Sequence, residues 1–195
     1  MRHEVMFAGF GGQGVMLIGQ MLAYAGMNEG KQAVWLPSYG PEMRGGTAYC
    51  IVQVSDEPIG SPVVASPRNT AVMNRPSLEK FGPKVKAGGL LIINSSLIPV
   101  SSDRTDISIL HVRCNDIAYE MGTAKAANMV MLGTLIGATG MVEPGSIEKM
   151  IEYQFGTKGK RELVETNVKI FERGVEIGRE EARRWKPGSR SKASG

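Results

Sequence analysis

The sequence predicts one α/β domain, built as a single doubly wound, mostly parallel sheet with a Rossmann-like glycine loop and C-terminal helices. Three observations carry that prediction. A short apolar run, Glu4 to Ala8, feeds directly into Gly9-Phe10-Gly11-Gly12-Gln13-Gly14. Apolar strand-like segments then alternate with helical ones, the order expected of a sheet with helices on its faces. Beyond Pro144 the pattern turns wholly helical. At 195 residues, 42% apolar and 22% charged, the chain suits one domain with a real core. We find no internal repeat or inter-domain linker, and expect the domain to occupy 1–185 with a flexible basic tail over 186–195.

Each element has its own signal. After the first strand, an apolar helix should run from Val15 to Met27 and end near Gly30, a suitable left-handed cap. Gln32 to Leu36 reads as a strand that Pro37 should stop, and Thr47 to Val54 as another. Thr70 to Met73 is a strand and Pro76 to Phe81 a helix start. Leu90 to Asn94, five residues without a charge, is the clearest buried parallel strand, and Ile107 to Val112 resembles it. Ala126 to Thr139 is a helix of small residues. Ser146 to Phe155 should begin at a serine cap, and Lys160 to Trp185 should form a long amphipathic helix burying Val164, Val168, Phe171, Val175 and Ile177.

Composition excludes several functions. The net charge of +4 arises after position 178, where six basic residues face Glu180 and Glu181. A basic, Ser/Gly-rich terminus is ordinarily a solvated tail, so no nucleic-acid partner is expected. No apolar run reaches the roughly 18 residues a membrane span needs, and the chain enters its first strand without a leader, so a soluble, cytoplasmic protein is expected. Two cysteines, Cys50 and Cys114, and two histidines, His3 and His111, are too few and too scattered for an iron–sulfur cluster or a zinc site. Both cysteines lie in apolar strand-like runs and read as buried reduced thiols. No metal is expected on this chain.

Two segments carry chemistry. Gly9, Gly11 and Gly14 fit the G-x-G-x-x-G spacing between a strand and a helix, where glycine lets backbone approach a phosphate and the helix N-terminus supplies N–H groups and partial positive charge. The same turn also serves proteins that bind nothing there. A dinucleotide site further wants an acidic residue about 20 residues on, at the end of the second strand. That strand ends at Leu36-Pro37-Ser38, while Glu29 precedes it and Glu42 lies beyond the proline turn, so the segment speaks against NAD. The second segment is Ser38 to Gly46, SYGPEMRGG, a connection with Tyr39, Glu42 and Arg44 set among glycines and prolines. Its plain structural reading is a rigid surface turn with a local ion pair.

Taken in order, GFGGQG, SYGPEMRGG, GGLLIINSSLI, AANMVMLGTLIGA with Asn128, and ETNVKIFERGVEIG with Asn167 resemble the gamma subunits of pyruvate and 2-oxoglutarate ferredoxin oxidoreductases. The likeness extends to about Ile177. It implies a subunit of an enzyme that decarboxylates a 2-oxoacid on thiamine diphosphate, passes electrons through iron–sulfur clusters to ferredoxin, and forms the acyl-coenzyme A. Thiamine diphosphate and the clusters would lie on alpha, beta and, where present, delta-type partners. This chain would bind no cofactor alone and would help form the coenzyme A site, with Gly9, Gly11, Gly12, Gln13 and Gly14 as phosphate contacts. Tyr39, Glu42, Arg44, Gly45 and Gly46 would face the partner subunits and their cofactor. No catalytic acid, base or nucleophile is assigned. The resemblance favours 2-oxoglutarate, then pyruvate and branched-chain acids, and indolepyruvate enzymes use a related chain. A homodimer of the isolated chain is expected from its partner-facing surface. The competing reading is an independent nucleotide-binding regulatory module.

Overall fold

A computed structural model describes residues 1–38, 47–156 and 161–184. Six strands form one sheet in the order β2-β3-β1-β4-β5-β6: β1 (Arg2–Phe10), β2 (Gln32–Ser38), β3 (Thr47–Ser55), β4 (Asn69–Val72), β5 (Leu90–Asn94) and β6 (Ser108–Val112). The run β1, β4, β5, β6 is parallel, whereas β3 is antiparallel to both its neighbours. The expected doubly wound, mostly parallel sheet is therefore present. Its departure from the simplest such sheet is β3, which pairs with β1 from Arg2↔Ser55 to Phe10↔Thr47 and takes the place beside β1 where a second parallel strand would lie.

This insertion moves β2 to the edge, and that explains why Pro37 does not end it. Pro37 lies opposite Cys50 and the strand continues to Ser38, opposite Tyr49. A proline removes one donor, a loss that an edge strand tolerates because only one of its sides must pair.

Side-chain alternation splits the core in two. Val5 and Phe7 of β1 join Cys50, Val52, Ala71, Ile92 and Leu110 on one face. That face is covered by α1 (Val15–Asn28), α3 (Cys114–Glu120), α4 (Ala127–Thr139), α5 (Pro144–Gly156) and α6 (Arg161–Arg184). Met6 and Ala8 point the other way, with Val72, Leu91 and Ile93, against Leu78 and Phe81 of α2 (Arg75–Phe81). Burial on both faces is why β5 reads as an unbroken apolar run. Among the described residues no helix is long and apolar enough to cross a membrane.

Three local expectations need correction. Cys114, placed by sequence in a strand, is the fully buried first residue of α3, a seven-residue helix too short to show a helical period. Ser146 does not cap α5: the helix begins two residues earlier at Pro144, whose missing N–H costs nothing at a first helical position. Trp185 and the 186–195 tail lie outside the described residues, as does Lys160, so the long terminal helix is seen from Arg161 to Arg184.

The tightest packing joins α4 to α6. A Cβ on Gly133 would overlap the Phe171 carbonyl oxygen, and one on Gly174 the Val130 carbonyl oxygen. The backbones thus touch directly, and α4 is apolar nearly all round because it is enclosed. Gly133→Ala or Gly174→Ala should cost at least about 1–3 kcal/mol, the range for overpacked cores. In contrast, Gly145→Ala in α5, where a Cβ would meet nothing within 4 Å, should hold stability or raise it by about 0.4–1 kcal/mol. Urea unfolding of the purified variants checks both.

Candidate functional site

The C-terminal ends of the parallel strands gather the glycine loop and a set of side-chain amides, of which sequence reasoning points to Gln13 and Asn128. β1 runs out at Phe10, and Gly11 to Gly14 carry the chain into α1. Gly14 is the residue that starts the helix, in left-handed conformation at φ 73°, and its missing side chain is also required by Asn128 of α4, which a Cβ would overlap. Among the described residues no side chain caps α1. Among them the helix begins with backbone N–H groups that have no capping oxygen, and with the positive end of its dipole.

The glycines divide by what needs them. At Gly9 a Cβ would stand 2.7 Å from Gln13 Oε1 and 3.0 Å from Met73 Cβ, so glycine is demanded by internal packing. Gly12 adopts φ 90° with nothing within 4 Å of a would-be Cβ, and both Gly11 and Gly12 are exposed. The open backbone of the motif is thus Gly11-Gly12. Gly11 is not among the glycines at positive φ, so a side chain there would add bulk without backbone strain.

The Gln13 side chain turns inward. Its Oε1 accepts the Phe10 N–H at 2.7 Å and Asn74 Nδ2 at 3.2 Å, while its Nε2 donates to the Met73 carbonyl at 3.3 Å. The same carbonyl accepts Asn94 Nδ2 at 3.4 Å, and Asn94 also donates to Asn115 Oδ1 at 2.8 Å and accepts the Cys114 N–H at 3.2 Å. Asn128 Nδ2 donates to the Gly14 carbonyl at 3.4 Å. A row of amides therefore links the ends of β1, β4, β5 and β6. Sequence reasoning singled out Asn128 only through the resemblance and missed Asn74, Asn94 and Asn115. For Asn94 the signal was present: an asparagine closing an apolar strand, at the end of the sheet where ligands gather, must be paired if it is buried.

Tyr39, Glu42, Arg44, Gly45 and Gly46 lie outside the described residues. The register nevertheless locates both anchors of that segment. Ser38 pairs with Tyr49 and Thr47 with Phe10, so the connection leaves and re-enters at the same end of the sheet as the glycine loop. Cavities among the described residues lie elsewhere. One of about 430 Å³ separates α1 from α5 at Leu17, Tyr24, Met150 and Tyr153, and one of about 140 Å³ sits by Asn69, Leu90 and Ser108, where β4, β5 and β6 begin.

Burial lowers the pKa of His111, whose Nε2 lies 3.0 Å from Ser101 Oγ. Burial, then Lys31, lowers that of His3. Among the described residues no group of three metal-ligating side chains comes together. Burial pushes the Cys50 thiol up to about 12 and raises Cys114 as well, so both stay protonated at neutral pH. Each thiol keeps its proton at a pH where the unfolded chain, with an ordinary value of about 8.5, has lost it. Their contribution is therefore whole below about pH 8.5 and is lost as the pH rises toward 12. A pH series of thermal midpoints should fall over that window, and Cys50→Ala should make the fall shallower.

The family model for pyruvate ferredoxin/flavodoxin oxidoreductases matches residues 4–177. The chain is 41% identical over 179 residues to the ketoisovalerate oxidoreductase subunit VorA of Methanothermobacter thermautotrophicus, covering 91% of this chain but only 36% of that relative. It is 36% identical over 185 residues to the 2-oxoglutarate synthase subunit KorC of Methanocaldococcus jannaschii, covering 92% of this chain and 96% of the other. In structure it is similar to the gamma subunit of a keto/oxoacid ferredoxin oxidoreductase from Geobacter sulfurreducens, with a TM-score of 0.78 and 29% identity over 91% of this chain and 99% of that one.

Proposed function

The chain belongs to the pyruvate ferredoxin/flavodoxin oxidoreductase family, and from that premise we propose that it is the gamma subunit of a 2-oxoacid:ferredoxin oxidoreductase whose glycine loop meets coenzyme A. The reaction converts a 2-oxoacid and coenzyme A to the acyl-coenzyme A and carbon dioxide, with two electrons leaving to ferredoxin. The observation that carries the coenzyme A reading is the exposed Gly11-Gly12 backbone beside the uncapped start of α1.

The residues present suit a phosphate and not a redox centre. Backbone N–H groups at a helix N-terminus bind an anion without a lysine or arginine, because the donors already point outward and the helix dipole favours negative charge. An iron–sulfur cluster asks for several thiolates. This chain has two cysteines in all, both buried and held protonated. In this reading cluster and thiamine diphosphate chemistry is assigned to partner subunits, as the family resemblance implies and the two cysteines allow. The part left to this chain is to hold a phosphate of coenzyme A at Gly11-Gly12, and with it the reach of the thiol arm toward the acyl group on a partner.

Tyr39, Glu42, Arg44, Gly45 and Gly46 are proposed to face those partners, since both anchors of their segment sit at the glycine-loop end. Our first reading of the acid is 2-oxoglutarate, supported by a likeness to KorC over 96% of that subunit. The 41% identity to the ketoisovalerate subunit favours a branched-chain acid as the second.

The test uses the complex purified after co-expression with its alpha and beta partners, followed by reduction of a low-potential dye. Turnover should require coenzyme A and prefer 2-oxoglutarate over ketoisovalerate and pyruvate, and the chain without partners should show none. Gly11→Val places a side chain where backbone would meet phosphate, and should raise the apparent KM for coenzyme A about tenfold or more at nearly unchanged kcat. An unaltered KM in the assembled variant would sink the coenzyme A reading.

A further inference from the structure

We infer that Asn74 is a positioning residue for coenzyme A: it fixes the amide of Gln13 and, through it, the curvature that presents Gly11-Gly12. The inference rests on the reading of the glycine loop given above.

Asn74 is 3% exposed and follows β4, not the glycine motif. Its two ends are committed to different elements. Oδ1 accepts the Ser77 N–H at 2.9 Å and caps α2, which leaves Nδ2 facing Gln13 Oε1 at 3.2 Å. The cap thus determines which way the Asn74 amide points, because only the oxygen can accept from Ser77. That in turn determines the Gln13 amide, whose oxygen must face the Asn74 donor and whose nitrogen must face the Met73 carbonyl. With Oε1 so placed, the Phe10 N–H has its acceptor at 2.7 Å, and the Gln13 N–H closes the turn onto the Phe10 carbonyl at 3.2 Å. Gly11 and Gly12 are the residues spanned by that closure. Gln13 Oε1 also fills the space a Gly9 side chain would take, so glycine at position 9 is what admits the lock. A rim shaped in advance loses less on binding than one that orders around its ligand.

Two substitutions separate this role from the cap. Asn74→Asp keeps an oxygen for Ser77, and aspartate caps helices as well as asparagine. It replaces the donor with a second oxygen aimed at Gln13 Oε1, so the glutamine must turn and the Phe10 N–H loses its acceptor. Asn74→Ser also caps, and its shorter side chain offers Gln13 no amide donor.

In the co-expressed complex each variant should raise the apparent KM for coenzyme A about three- to tenfold, with kcat and complex yield unchanged. In the full chain by itself, deuterium exchange at the Phe10 amide should quicken while exchange at the Ser77 amide, whose cap both variants keep, holds. Gly11→Val is measured alongside. If Gly11→Val raises KM and both Asn74 variants leave it alone, the positioning role falls and the coenzyme A reading stands. Lost yield and kcat at constant KM would also overturn it, since that is what a purely structural residue does. No effect of Gly11→Val on KM would remove the coenzyme A reading, and this inference with it.

Discussion

The structure depends on satisfying buried amides where four parallel strands end together. A strand that stops inside a protein leaves backbone groups that neither water nor a further strand residue can pair, and each one left unpaired costs about 1–3 kcal/mol. Here side-chain amides supply the partners. The Met73 carbonyl, just beyond β4, accepts from both Gln13 and Asn94, and Asn94 receives the Cys114 N–H that begins α3. Remove one member and a neighbour is orphaned, so this edge behaves as a unit and its order propagates from β1 to β6. The close contact of α4 with α6 serves the same edge indirectly. Gly133 and Gly174 let those backbones touch, and from the same helix Asn128 reaches the Gly14 carbonyl.

That constraint changes how the glycine loop is understood. A motif of this kind is usually credited with phosphate binding at every glycine, but Gly9 and Gly14 are explained by Gln13 and Asn128 without any ligand. What remains for an outside molecule is the pair between them. The effect is to set a small, exposed stretch of backbone on a rigid frame, next to a helix start without a cap. Rigidity at such a rim matters more than additional donors, since immobilising a loop on binding subtracts from affinity.

Much of this was legible in the sequence, for reasons that differ by element. β5 was found at its true ends because burial on both faces leaves a run with no polar residue before Asn94. α1 was found because a glycine turn and Gly30, at φ 77°, bracket an apolar stretch. Pro37 misled because its rule applies to strands paired on both sides, and nothing local announces that β2 is an edge. Cys114 misled because seven residues cannot display a period of 3.6. At the candidate site the glycines were legible as a spacing, whereas Asn74 was not. An asparagine between a strand and a helix looks like any N-cap, and its second bond, to Gln13, spans 61 residues that only the folded sheet brings together.

The inserted strand also accounts for a missing residue. In a dinucleotide site the acid that holds the ribose stands at the end of the strand next to β1. In this chain that neighbour is β3, which runs the other way and presents Thr47, its first residue, beside Phe10. The end of β2 lies one strand further out, and strands are spaced about 4.8 Å apart, so a carboxylate there would stand about 10 Å from β1 instead of about 5 Å. An acid at Ser38 would reach past the ribose, not onto it. The absence of a carboxylate at Leu36-Pro37-Ser38 is thus what the strand order itself leads to. If the glycine loop meets a phosphate as proposed, it keeps one half of the dinucleotide architecture, while the strand order withdraws the half that grips a ribose beside it. A ligand that presents its phosphate there, and carries the rest of its length away toward another surface, fits that division.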